Sequence, residues 1–310
     1  MNATAHTQHT AHEHHTPGTP GGHAHHAHHA PEAPGAHTHQ TPETPAHHTP
    51  HTPGGHTHHA PDPHGGHTGT TPGGLQITEA GYTLALETPI TDAGEIDFRF
   101  RILGPDGAVV TDFAPIHERE LHLIVARREL TGFQHVHPVR DEQGIWSIRL
   151  DLTEPGAYRV FTDIAPRALG RTLTLGADLA VAGNYDPRHT PTTERTITVD
   201  DYQVTVEGDL IPGAGRTVNF TIHKDGAPVT DLDPYLGAYG HLVVLRAGDL
   251  AYVHVHPSGE PGDGITPAGP GIDFHTVAPG PGTYRLFLDF RHRGIVRTAA
   301  FTLNASPATH

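Results

Sequence analysis

The stretch LHLIVARRELTGFQHVHP (121–138) returns 119 residues later as GHLVVLRAGDLAYVHVHP (240–257). Both carry histidines at the same three places: His122, His135 and His137, then His241, His254 and His256. The flanks repeat in the same order. ITEAGYTLALE (77–87) matches ITVDDYQVTVE (197–207), DGAVVTD (106–112) matches DGAPVTD (225–231), and GAYRVFTDI (156–164) matches GTYRLFLDF (282–290). A pattern kept in order and spacing over about 110 residues is a duplicated domain, so whatever fold the chain adopts must close on a unit of that length, twice.

Within each unit the hydrophobic period is two. YTLALE, IDFRFRI, LHLIVA, WSIRLDL and YRVFTDI alternate or form short β-rich runs between turn signals such as GPDG and EPG, and no amphipathic helix stands out. About seven short strands per unit predict an all-β chain of two tandem immunoglobulin-like antiparallel β-sandwich domains, at 75–187 and 194–304. A linker around NYDPRHTPTTE (184–194) joins them.

A disordered N-terminal tail is expected ahead of them. Residues 1–74 hold 20 of the 32 histidines, no Lys or Arg, and apart from Met1 no large aliphatic or aromatic residue. Such a stretch has nothing to bury against the entropy of ordering. Its imidazoles, clustered at His23, His25, His26, His28, His29, His56, His58 and His59, form weak, interchanging sites for divalent transition metals.

Charge and residue types exclude several functions. The net charge is −15, of which the tail's four acids carry −4 and the body −11. With no Lys/Arg cluster to cover phosphates, nucleic acid is not an expected partner. There is no cysteine, which excludes disulfides, thiolate zinc sites, blue copper and iron–sulfur clusters. No apolar run approaches the roughly 20 residues of a membrane span. MNATAHTQHT has neither a basic nor an apolar signal region, so no signal peptide is expected.

The repeated histidines admit a specific reading. If HLIVARRELTGFQHVH is a hairpin in which Ala126 faces Phe133, His122 lies opposite His137 and His135 shares their face. The same register puts Leu121, Leu123, Val125 and Val136 on the other, core face, and a slip of one residue destroys both groupings. In the second copy His241 faces His256 with His254 beside them. Each set is a candidate three-histidine metal site with an open fourth position. His117 and Glu118, and in the second copy His275 or Glu260, are possible further ligands. Structural packing is the competing reading, because Ile124, Phe133, Val243, Leu245 and Tyr252 on the histidine faces imply that these faces are covered.

HLxV, a turn, HVHP and a following GxYRVFxD together resemble the YtkA-like domains, over roughly 95–165 and 215–290. These are bacterial extracytoplasmic β-sandwich domains often found beside copper-handling proteins. The resemblance implies a β-sandwich, a link to copper or other heavy metals, an extracytoplasmic location and a metal-handling protein as partner. GFQHVHP is also similar to a strand of copper–zinc superoxide dismutase, but the cysteine pair and bridging-histidine loop of that enzyme are missing. His-x-His with Glu142 is similar to the first cupin motif, without its glycines or a second motif. No other catalytic signature is present. The expectation is therefore a non-enzymatic protein that buffers or delivers a divalent metal, Cu(II) first and then Zn(II) or Ni(II). The alternative is a structural or protein-interaction module whose histidines are packing residues and whose tail is a spacer.

Overall fold

A computed structural model describes residues 71–253 and 255–307. The tail histidines named above and His254 lie outside the described residues. Among the described residues every regular element is a β-strand. The first copy contains β1 (Thr78–Glu79), β2 (Tyr82–Leu86), β3 (Ile90–Asp92), β4 (Gly94–Leu103), β5 (Leu121–Arg127), β6 (Gln134–Val136), β7 (Val139–Arg140), β8 (Trp146–Leu152), β9 (Gly156–Ile164) and β10 (Leu173–Ala182). The second contains β11 (Thr196–Val199), β12 (Tyr202–Glu207), β13 (Gly215–Lys224), β14 (Ala227–Pro228), β15 (Gly240–Arg246), β16 (Tyr252–Val253), β17 (His256–Pro257), β18 (Gly271–Val277), β19 (Gly282–His292) and β20 (Ile295–Ala305). Among the described residues no helix is long and apolar enough to cross a membrane.

Each copy is a two-sheet sandwich. In the first, β1-β2-β4-β8-β7 faces β3-β10-β9-β5-β6; in the second, β11-β12-β13-β18-β17, with β14 on β13, faces β16-β15-β19-β20. Pairing is antiparallel except between β3 and β10, which run parallel. Alternation explains the layers. Phe98, Phe100 and Ile102 of β4 point inward to meet Leu123, Val125, Val160 and Leu175 in one core. Val218, Phe220 and Ile222 of β13 do the same against Val244, Leu286 and Phe301. In both copies a tyrosine at the start of a long strand ties down the bend before it. Tyr158 Oη donates to Glu154 O and Tyr284 Oη to Gly280 O, each at 2.7 Å, as in the tyrosine corner of immunoglobulin-like folds.

The β5 and β9 strands are buried on both faces, which alternation alone does not require. Their second face packs against the other sandwich. Ile124, Ala126, Leu130 and Phe161 of the first copy and Val243, Leu245, Leu250 and Phe287 of the second form a third apolar cluster, a seam joining the two domains. Phe133 stacks on Phe287 with ring centroids 3.9 Å apart and planes 3° apart. The copy-equivalent pair, Tyr252 and Phe161, meets at 5.8 Å. Gly73 and Gly74 strap the seam. Tyr252 N donates to Gly73 O, Gly74 N donates to Thr174 O, and Arg159 sends two nitrogens to Gly74 O.

Candidate metal centre

The site begins with the β5–β6 register. Leu123 pairs with Val136, Ile124 with His135 and Val125 with Gln134. This is the register that the sequence predicts. It puts His122 and His135 on the seam face. His137 follows the end of β6, and Pro138 then leads into β7, which pairs with β8 in the opposite sheet. His122 Nδ1 lies 3.0 Å from His135 Nε2 and 3.0 Å from His137 Nε2. One nitrogen from each of the three rings falls within 4.8 Å of the others.

The outer nitrogens fix which ring nitrogens carry hydrogen. His122 Nε2 lies 2.8 Å from Ile116 O, which can only accept, so His122 Nε2 carries the proton. His135 Nδ1 lies 2.7 Å from Asp289 Oδ2, which makes it the protonated nitrogen of a neutral His135. Asp289 belongs to β19 of the second sandwich, and its other oxygen accepts from Thr298 Oγ1 at 2.5 Å. In neutral imidazoles, then, His122 Nδ1 and His135 Nε2 are both lone pairs, and they face each other at 3.0 Å. Whatever His137 does, that contact has no hydrogen in it. An added proton on either ring, or a metal ion, would fill that gap. Tetrahedral bonds of about 2.0–2.1 Å place ligand nitrogens roughly 3.3 Å apart; the two spacings at His122 Nδ1 are 3.0 Å, and the third lies within 4.8 Å.

Protons are a poor match for two of the rings. Burial, and next the charge His135 would carry, push His122 down to about 2. The same two causes, with Arg119 behind them, push His137 down to about 3. The orienting carbonyl and carboxylate are the outer partners that a metal-binding histidine uses to set its tautomer.

The second copy does not form a separate set among the described residues. His241 Nε2 donates to Tyr235 O at 2.8 Å, as His122 does to Ile116 O, and burial pushes it down to about 4. Its ring sits 6.3 Å from that of His122 and 6.4 Å from that of His135, so His241 borders the first copy's histidines across the seam. His256 instead sits exposed on β17, opposite His275 of β18 in the outer sheet. His117 joins the seam group, 5.0 Å from the ring of His241, on a backbone with φ of 44°. Glu118 faces the Gly237 turn of the second sandwich and is not part of the three-histidine group. A cavity of about 40 Å³ lies beside the cluster, lined by His117, His122, His135, Asp163 and His241 among others, and has room for bound water.

No motif in the sequence points to Asp289 or to its copy-equivalent Asp163. Asp163 is buried, pairs in register with His122 and accepts from Thr174 Oγ1 at 2.9 Å. The sequence does carry a weaker signal for both. YRVFTD and YRLFLD each keep one acid in an otherwise apolar strand, in both copies.

Known structures with some similarity include InvD of Yersinia pseudotuberculosis (12% identity, TM-score 0.24, covering 75% of this chain and 59% of that one). Others are Escherichia coli alpha-2-macroglobulin activated by porcine elastase (12%, 0.24, 73% and 20%) and the D0-D1 domain of intimin (9%, 0.21, 71% and 96%). The chain thus spans less than two thirds of the first two. Similarity at this level carries no argument about function. No curated protein matches the chain. The chain belongs to the family described as a domain of unknown function, DUF8832, which it matches twice, over residues 76–182 and 197–307.

Proposed function

We propose that this chain is a non-enzymatic tandem β-sandwich protein that holds one divalent transition metal at its domain seam, on His122 Nδ1, His135 Nε2 and His137 Nε2. The observation that carries the reading is the 3.0 Å approach of His122 Nδ1 to His135 Nε2, in rings whose outer nitrogens each face an acceptor. Cu(II) stands first and Zn(II) or Ni(II) behind it, from the affinity order at nitrogen sites and the YtkA-like resemblance. The His-rich tail collects the same ions and raises their local concentration, and an extracytoplasmic setting with a metal-handling partner suits such a device.

The test is a Cu(II) and Zn(II) titration of protein beginning at Thr68, which deletes all 20 tail histidines but keeps Gly73 and Gly74. One tight site per chain is expected, lost in His135→Ala and His137→Ala while the fold persists. No tight site in the parent protein would sink the reading.

The Asp289 contact favours a second reading. Here His135 is an imidazolium paired to Asp289, the cluster only cements the two domains, and the protein is a structural or interaction module. That reading expects no tight metal site, and it expects His135→Ala to loosen the metal-free protein.

A further inference from the structure

Three features outside the three rings could carry chemistry: the outer-sheet His256–His275 pair, the chain from buried Tyr202 and His292 to exposed Asp231, and the Asp289 carboxylate. The first is a register neighbour pair on an exposed sheet face, and among the described residues no third ligand converges on it. The second has both ring nitrogens of His292 engaged, on Tyr202 Oη and Asp231 Oδ1, and needs no further ligand. Asp289 carries an inference.

We infer that Asp289 of the second sandwich is a positioning residue for the metal site of the first, so that metal binding and domain docking stabilise each other. The inference rests on the metal reading above. Asp289 is only 3% exposed and does not reach the metal nitrogens; it touches the far side of His135, at Nδ1. That contact holds the neutral ring in the tautomer that leaves Nε2 bare. Carboxylates placed this way raise the basicity of the ligating nitrogen and fix the ring plane. Asp289 is itself held, because Thr298 on the neighbouring strand β20 donates to its second oxygen. The chain of contacts therefore runs from the ligand of one domain through a carboxylate to the sheet of the other. If the sandwiches separate, His135 loses its orienting partner. If metal binds, it favours the docked state by whatever affinity Asp289 supplies, as linkage requires.

The experiment uses the full chain, free Zn(II) set by a metal buffer, and amide hydrogen exchange read strand by strand. Exchange is read in β6 and β19, and the His135→Ala chain, which keeps every tail histidine, serves as the control for zinc held by the tail. Zinc is expected to protect both β6 and β19 in the wild type. Asp289→Asn, which keeps the side chain's shape, should raise the zinc concentration for half-protection of β6 by roughly 10–100-fold and remove the zinc-dependent protection of β19. Thr298→Val, which leaves the carboxylate in place but unheld, should shift the midpoint in the same direction by less. A wild-type midpoint in Asp289→Asn with β19 still protected would overturn the inference and leave the metal reading standing. Zinc protection that is absent from the wild type, or that survives in His135→Ala, would instead overturn the metal reading.

Discussion

His122 has both ring nitrogens committed, one to the Ile116 carbonyl and one to a cluster of bare nitrogens, and it does so while 5% exposed. Such a residue makes stability depend on pH with a definite sign. In the unfolded chain a histidine titrates near 6.5, whereas in the fold burial holds His122 down at about 2, His137 at about 3 and His241 at about 4. Below pH 6.5 the unfolded state therefore binds more protons than the native one, and stability falls as pH falls. The contribution is fully present above about 6.5 and is lost progressively down to the folded values. For His122 and His241, the more buried of the three, the cost approaches about 1.4 kcal/mol per pH unit well below 6.5, so about 3 kcal/mol together between pH 6.5 and 5. Urea midpoints measured with a chelator present should drop accordingly, and the drop should shrink in His241→Gln. A midpoint independent of pH over that range would mean that these rings are not held neutral.

At the scale of strands, most of the hairpin is legible in the sequence. Alternation in HLIVARRELTGFQHVH fixes its register, since one choice alone gathers Leu123, Val125 and Val136 on one face and the histidines on the other. What covers the histidine face is not legible there. Ile124 and Phe133 announce burial but do not name a partner, because the partner is more than a hundred residues away in sequence. The second copy's hairpin is legible only in part. Val244 pairs with Val253 in the expected register, yet His256 leaves for the outer sheet. The second copy carries seven more residues than the first between its HVHP and its YRLFLD. Hydrophobic alternation does not say to which sheet a strand returns after such a segment. The seam itself can be tested at the stacked pair. Phe287→Ala should cost about 3–5 kcal/mol by urea unfolding, as for other buried phenylalanines. A double-mutant cycle with Phe133→Ala should give a coupling of about 0.5–1.5 kcal/mol. Additive losses would mean that the two rings are neighbours without being partners.

For the whole molecule, the seam has the logic of a symmetric dimer drawn on one chain. Phe133 on Phe287 is answered by Tyr252 on Phe161, the His122 contact to Ile116 O by that of His241 to Tyr235 O, and Asp289 on Thr298 by Asp163 on Thr174. Each half presents the same patch to the other, which is what a two-fold interface requires. The three-histidine group breaks the symmetry on one side, where His137 stays with the cluster and His256 does not. If the seam is a true interface, the covalent linker is not what holds the halves together. Residues 184–193 have no regular structure and most are exposed, so a protease site placed after Thr190 can be cut without touching either sheet. The nicked halves should co-elute as one species on size exclusion, with a thermal midpoint that now depends on protein concentration. Ile124→Asp, which buries a charge against Val243 and Leu245 in the same cluster, should separate them. Nicked wild-type halves that elute apart would show that the linker alone enforces the docking, and the seam would then lack the affinity its symmetry implies.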